Sequence, residues 1–453
     1  MTRQEKIQLY LKHIENHAQY LSDNAEKLDI YEGNLKPYVD AVMKKTVSDN
    51  YYQKIKDRII PINVLTRIMD KLSKVYINEP DRKSEKYQDF VNRVEKESGL
   101  DMEMSLADCY SHLFKGYALE PYLDDGKINA RVIPYDRFLP LGLDYKNPTK
   151  MTDFIKFMGK YNDKRVYFAY TDTEFYAFNE DGAELAEYYE GNDGLNLIGR
   201  IPVVYGNRSR QSLIPTQDTD IIQLTKMIPV LISDLAGAIM FQCFSIIVGI
   251  NVKAENLTMS PNAFWSLKAD NKAETGNPSI QTIKPEADID KVLSFIKQVF
   301  AFWLETKGVR IGSLNTIDAG NAASGIAKII DEMDVYEIKK QQILFFKKEE
   351  DDFWDLMKSM NNYWMGSSED YKGTMIGNDF EVVVTFDEPQ PEVSRDAYFT
   401  TIDKEYKGGY LDAESAIRSL YPDLDDEQVK VRALALEGTD GVDQDTNQDT
   451  ATI

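Results

Sequence analysis

Cysteine is almost missing from this chain: Cys109 and Cys243 are the two copies in 453 residues, far apart and without a partner at metal-ligand or redox spacing. That leaves no disulfide framework and suits a reducing compartment. Histidine is nearly as scarce, with three copies. His13 and His17 share an i,i+4 face, but the run His-Ile-Glu-Asn-His does not set its glutamate where a zinc-hydrolase helix needs it. His112 lies three residues from Cys109, and a nucleophilic pair would require a positioning that spacing alone does not supply. No GxxxxGK[ST] phosphate loop occurs, so any ATP-driven motor is another protein. The acids from Asp423 to Glu427 lack the glycine and closing glutamate of a calcium loop. The expectation is a non-enzyme with no catalytic residues, no cofactor and no metal.

Positive charge is also in deficit, with 53 Lys and Arg against 75 Asp and Glu and a net charge of −22. A surface of that sign repels phosphates, which excludes tight, general nucleic-acid binding. It is compatible with the wall of a conduit, where acids reduce sticking and a few bases act at chosen levels; solubility alone also accounts for it. The first residues, MTRQEKIQLYLKHIENH, are charged and helical in pattern, with no apolar segment leading to a cleavage site, so export is not expected.

What is present is length and apolar material. With 43% hydrophobic residues, 27 Tyr and 20 Phe, the chain can bury two to four packed units or form one elongated multi-domain subunit. Helical spacing from Arg3 to Lys27 (Ile7, Leu11, Ile14) breaks at Tyr31-Glu32-Gly33-Asn34. A second amphipathic helix is predicted from Arg58 to Glu79 on Val64, Ile68, Leu72 and Val75, stopping at Pro80. Asp89 to Phe114 reads as helix, with Gly99 an interruption. Tyr117 to Phe178 reads as a mostly antiparallel sheet, and Ile201 to Tyr205 as one more strand.

Two seamed helices follow. Leu224, Ile228, Leu231, Leu235 and Ala238 alternate spacings of four and three, as do Ile289, Val292, Ile296, Val299 and Trp303. Between them, Ser245 to Val252, Ala263 to Leu267 and Ser279 to Ile283 read as short strands with polar turns, a small α/β or β insertion. Met227 to Ile250 contains one charge, Asp234, and invites comparison with a membrane span. Pro229, Asp234, Gly237 and Gln242 argue against it, and a helix apolar on most faces also fits one covered by neighbouring subunits. The stretch from Arg310 to Ala323 is small and polar and reads as a mobile loop. Neither Gly nor Pro occurs from Ile326 to Met365, which as one helix spans roughly 60 Å; its apolar face of Phe353, Met357, Met360 and Trp364 reads as core. A strand from Glu381, two short helices between Tyr410 and Leu436, and an acidic tail without a basic residue after Arg432, read as disordered, complete the pattern.

The order of these parts resembles the portal proteins of tailed phages, particularly those of siphophages of Gram-positive bacteria. The resemblance runs from about Tyr31 to Leu436. It rests on the turn at Tyr31 and Gly33, the Asn63-led helix with Asp70 ending before Pro80, the segment around Pro134 and Asp136, Pro202 and Asn207 before the first seamed helix, the Ser-Gly start within Asn321 to Ile330, and the closing VVVTFDEPQPEV and LDDEQ runs. Glu79 and Lys328 depart from the family pattern. The resemblance implies an α+β, portal-like multi-domain subunit: a wing (1–213) of helices and antiparallel sheet, stem helices (214–242 and 287–307), a small α/β clip (243–286), a channel loop (308–323), a long wing helix and strand (324–388), a helical crown (389–437) and an acidic tail (438–453). It implies a homo-oligomeric ring of about twelve copies around a channel. Double-stranded DNA would pass through non-specifically during packaging and ejection. Terminase, head–tail adaptor, major capsid and scaffold proteins would be the partners, with no membrane, and assembly in the host cytoplasm would end at the portal vertex of the virion. Leu224, Ile228, Leu231, Leu235, Ile296, Val299 and Trp303 would pack subunits in the stem. Lys307, Arg310, Asn315 and Asn321 would face DNA, although ordinary solvated charge also accounts for the basic pair. Two alternatives stay open: a membrane-anchored protein using 227–250, and a cytosolic scaffold of long helices.

Overall fold

The chain starts with a reciprocal cap. The Thr2 hydroxyl accepts the Glu5 backbone N–H, and the Glu5 carboxylate accepts that of Thr2 at 2.7 Å, which nucleates α1 (Arg3–Asn16). The structure is a computed structural model and describes residues 1–144, 146–189, 192–209, 211–243, 246–250, 252–253, 268–269, 279–283, 289–307, 325–387, 395–421 and 428–434. The described residues divide into two units, the larger drawn from 1–307 and 338–387, the smaller from 325–337 and 395–434.

In the larger unit, α1 is followed after a break at His17 by α2 (Ala18–Tyr31), so the helical spacing predicted from Arg3 to Lys27 is carried by two helices. The second ends at the predicted turn, where Gly33 takes φ +106°. Next come α3 (Lys36–Thr46), α4 (Asp49–Ile55) and α5 (Leu65–Leu72). The single helix predicted from Arg58 to Glu79 is therefore corrected to the eight residues of α5, flanked by short 3₁₀ turns at Lys56–Arg58 and Val75–Ile77. Pro61 has no N–H to continue a helix. Asn63 fixes the new start by accepting the Leu65 N–H at 3.0 Å, and at the far end the Val75 N–H goes to the Asp108 carboxylate at 2.9 Å.

Strand β1 (Asp81–Lys83) leads to α6 (Gln88–Ser98) and α7 (Leu100–Phe114), separated at Gly99, whose φ of +60° is left-handed. A meander follows: β2 (Gly116–Asp124), β3 (Lys127–Ile133), β4 (Phe138–Leu141), β5 (Asp153–Tyr161), β6 (Lys164–Tyr170), β7 (Phe175–Asn179) and β8 (Val204–Asn207). All pairings are antiparallel, as predicted, but they form two sheets, β3-β2-β8 and β4-β5-β6-β7. The predicted strand from Ile201 begins at Val204, beyond Pro202, which cannot donate to a ladder. Ile7 and Tyr10 of α1 close one core with Leu139, Ile155, Tyr167 and Phe178, and the Tyr10 hydroxyl donates to Asp153 at 2.6 Å. Helices α6 and α7 pack on the other sheet.

Helix α8 (Asp220–Cys243), β9 (Ile246–Ile250), β10 (Val252–Lys253), β11 (Lys268–Ala269), β12 (Ser279–Ile283) and α9 (Ile289–Thr306) come next. β9 pairs antiparallel with β12, and β10 with β11. The strand expected over Ala263 to Leu267 lies outside the described residues. Helix α10 (Gly325–Ser367) matches the predicted long helix, and Phe353, Met357, Met360 and Trp364 are all buried. β13 (Val383–Thr385) pairs with β1, joining segments 300 residues apart. The smaller unit contains α11 (Arg395–Lys407) packed against α12 (Ala413–Leu420), and a helical turn pair at 428–434. The Asp412 carboxylate caps α12 by accepting the Ser415 N–H at 2.7 Å. The mixed α+β class is thus observed.

Candidate assembly surface

The pair α8 and α9 is antiparallel, because its base joins the start of one to the end of the other. Trp303 donates its indole N–H to Asp220 at 3.1 Å, and Lys307 reaches Asp218 at 3.0 Å and Asp220 at 3.2 Å. Lys115 binds the second oxygen of Asp218 at 2.7 Å. Burial works upward on the Asp218 carboxyl, but the bonds from Lys115 and Lys307 outweigh it and hold that group below the usual carboxylate range. The base is further fastened by Lys226 on Glu26 at 2.6 Å. Helix α3 packs along α8.

Away from this base the cover runs out. The first half of α8 is buried at Ile221, Ile222, Thr225, Ile228 and Val230, whereas from Leu231 to Ile239 no residue of described burial is enclosed. Pro229 removes one intrahelical bond, and the Ser233 hydroxyl returns to the Pro229 carbonyl at 2.7 Å. Asp234, the one charge in this half, has its carboxyl pushed upward by desolvation. On α9, Ile296, Trp303 and Leu304 face the chain's own interior. Beside them runs an outward stripe, Val292, Phe295, Val299 and Phe302, spaced three, four and three, with Phe295 58% and Phe302 71% exposed. At roughly 100° per residue, apolar side chains occupy a little over half of the circumference of α9, and the described residues cover only one side of that surface. On α8, Met227 and Ile239 are also exposed.

The residues singled out by periodicity fall into two sets. Ile228, Ile296 and Trp303 are buried within this chain; Leu224, Leu231 and Leu235 are half-buried, and Val299 is exposed. The seam read from the sequence therefore includes contacts that fold the helix pair itself. The outward set is completed by Phe295 and Phe302, which that reading omitted although the same three-and-four rhythm runs through them. Of the residues expected to face DNA, Lys307 is half-buried in its ion pairs at the base, its ammonium 5.9 Å from the Trp303 ring. Arg310, Asn315 and Asn321 lie outside the described residues, as does the rest of the expected channel loop.

Other sequence candidates meet ordinary partners. His17 engages the His13 carbonyl at 2.8 Å, and the two rings stack. Cys109 is buried, and burial pushes its thiol up to about 11, the opposite of what an attacking thiolate requires. Among the described residues no three His, Cys, Asp or Glu side chains are grouped to hold a metal ion, and no helix is long and apolar enough to cross a membrane. No protein-family model matches the chain, and no curated protein matches it.

Proposed function

We propose that the chain is a subunit of a portal-type ring, a non-enzymatic conduit for double-stranded DNA. The observation that carries the reading is the antiparallel α8–α9 pair, anchored by charge at its base and carrying an exposed apolar stripe along α9. An exposed apolar stripe of this kind marks an interaction surface. In a ring each copy supplies such a helix to a neighbour through a heterologous contact that closes on itself. The position of the pair supports the same reading, since β9 and β12 are bracketed between its helices as a clip is between stem helices, and α10 follows. On this reading 1–213 and 324–388 are wing, 214–242 and 287–307 stem, 243–286 clip, 308–323 channel loop and 389–437 crown. Capsid and scaffold proteins would meet the wing, and terminase and head–tail adaptors the clip.

Electron microscopy of the purified chain, read alongside its mass distribution in solution, tests the proposal. The expected result is rings of about twelve copies with an axial opening. Monomers at high concentration would refute it, and dimers or a rod-like bundle would favour the scaffold reading. Phe295→Ser with Phe302→Ser removes side chains already exposed in one copy, so stability of the single chain changes by no more than about 0.5 kcal/mol per site. Burying each ring in a neighbour contributes about 1–2 kcal/mol, so each contact weakens by at least about tenfold and rings give way to smaller species.

A further inference from the structure

A cavity of about 520 Å³ opens beside the base of the helix pair, between α2, α5, the ends of α7 and α9, and α10. Its charged lining is mostly cationic: Lys27, Lys115, Arg208 and Lys307, with Asp218 the carboxylate among the lining residues. Arg208 is satisfied, gripping Glu349 with both terminal nitrogens and donating to Gln342 at 2.7 Å. Lys115 and Lys307 share the single carboxylate of Asp218. Lys27 has nothing comparable. It is 3% exposed, it lines the cavity, and no hydrogen-bond or ion-pair partner for it occurs among the described residues. Burial lowers its ammonium to about 8, the charge of Asp218 opposing that effect. His112, on the same wall, also has an enclosed Nε2 without a hydrogen bond, 3.5 Å from Asp108. Lys115 itself stands at φ +60°, a left-handed conformation that a lysine adopts at a cost and that turns the chain from α7 into β2.

Buried unpaired ammonium groups are expensive, and a site that keeps one has a use for an anion. Three lysines against Asp218 and Asp220, the latter 3.2 Å from Lys307, leave a surplus of one positive charge, and that surplus attracts an anionic phosphate monoester. The volume exceeds what phosphate alone fills and falls in the range of small-molecule sites. Ile68, Leu72 and Trp303 supply an apolar part of the wall, beside neutral polar residues such as Ser111 and Thr216. We infer that this cavity binds a small phosphate-bearing molecule, its phosphate among Lys27, Lys115 and Lys307 and its body against Ile68, Leu72 and Trp303. The inference does not rest on the ring reading.

Inorganic phosphate and pyrophosphate are the probes, compared with sodium chloride at matched ionic strength by calorimetric titration and thermal unfolding. Wild-type chain is expected to bind phosphate saturably. Lys27→Met, which removes an unpaired buried charge, is expected to unfold at a higher temperature without phosphate and to bind it at least about tenfold more weakly. Equal stabilisation by phosphate and chloride, or undiminished binding by Lys27→Met, overturns the inference. Should that variant not fold, reductive methylation of the wild-type chain read by mass spectrometry decides. Phosphate must slow modification of Lys27 while leaving surface lysines such as Lys83 unchanged, and equal rates overturn the assignment.

Discussion

Replacing Arg82 with methionine removes the one cation from the most enclosed charge cluster described in the larger unit. The Arg82 side chain is 0% exposed, as is that of Glu350 on α10. Its Nη2 lies 2.7 Å from Glu350, its Nε donates to both oxygens of that carboxylate at 3.1 and 3.3 Å, and its Nη1 reaches Glu95 at 3.0 Å and Asp101 at 2.8 Å. Tyr76 and Trp354 each add a bond to Glu350 at 3.0 Å. One guanidinium on β1 therefore ties α6, α7 and α10 together, and three carboxylates depend on it. Breaking a buried pair from one side costs about 3–5 kcal/mol, because the remaining charge keeps its desolvation and loses its partner. Glu95 and Asp101, whose side chains are about a quarter exposed, lose a partner too but stay reached by water, so Arg82→Met is expected to cost about 3–5 kcal/mol, a large share of a typical domain's stability.

Urea unfolding followed by tryptophan fluorescence suits the measurement, since Trp354 is bonded to Glu350. The control is Arg82→Met combined with Glu350→Gln. The glutamine keeps an acceptor for Tyr76 and Trp354 but no charge, so the double variant should recover about 2–3 kcal/mol of the loss as coupling between the two sites. A loss below about 1 kcal/mol for Arg82→Met, or no recovery in the double variant, would refute the reasoning. Either result would mean that water or rearranged side chains compensate the cluster.

Gly206→Ala should destabilise the chain by about 1–3 kcal/mol, because a Cβ there would overlap the ring of Tyr117, which is buried and held by Glu349 at 2.8 Å; an unchanged urea midpoint would count against it. Alkaline pH should also destabilise the fold. Burial holds Tyr76, Tyr117 and Tyr135 well above their ordinary value and pushes Tyr110 up to about 12. The unfolded chain ionises these phenols near pH 10 while the folded chain does not, so their stabilisation is intact below that pH. It falls above it by about 1.4 kcal/mol per pH unit for each tyrosine. Lys27 acts with the opposite sign between about 8 and its unfolded value, and Lys156 and Lys339, also lowered by burial, act the same way, but four phenols outweigh three amines. Urea midpoints that stay level from about pH 9.5 to about pH 11 would show that the tyrosines are already accessible.

Periodicity and punctuation carried most of the legible structure. The burial of Phe353, Met357, Met360 and Trp364 follows from their spacing, and the break between α6 and α7 from a glycine at position 99. What could not be read depends on residues distant in sequence. The end of α5 is set by the carboxylate of Asp108, which takes a backbone N–H from 33 residues away. β1 is three charged residues whose strand partner is β13, and no alternation announces it. At the helix pair, the sequence displays two adjacent apolar stripes on α9 without saying which one its own chain covers. Ile296 and Phe302 look alike in a pattern and differ completely in exposure. Lys27 reads as one more surface charge on an amphipathic helix, and only the fold encloses it.

Charge and apolar surface act over different ranges, and that difference fixes how association through α9 must respond to salt. Copies with a net charge of −22 repel one another at long range, whereas Val292, Phe295, Val299 and Phe302 attract only at contact. At about 0.15 M salt the Debye length is about 8 Å, and at about 0.01 M it is about 30 Å, so diluting the salt extends repulsion without altering the apolar contact. Assembly driven by the exposed stripe should therefore strengthen as salt rises. Light scattering across that range of ionic strength measures it. Oligomers that dissociate as salt is added would mean that complementary charges hold the copies together, and the apolar face of α9 would then need another explanation.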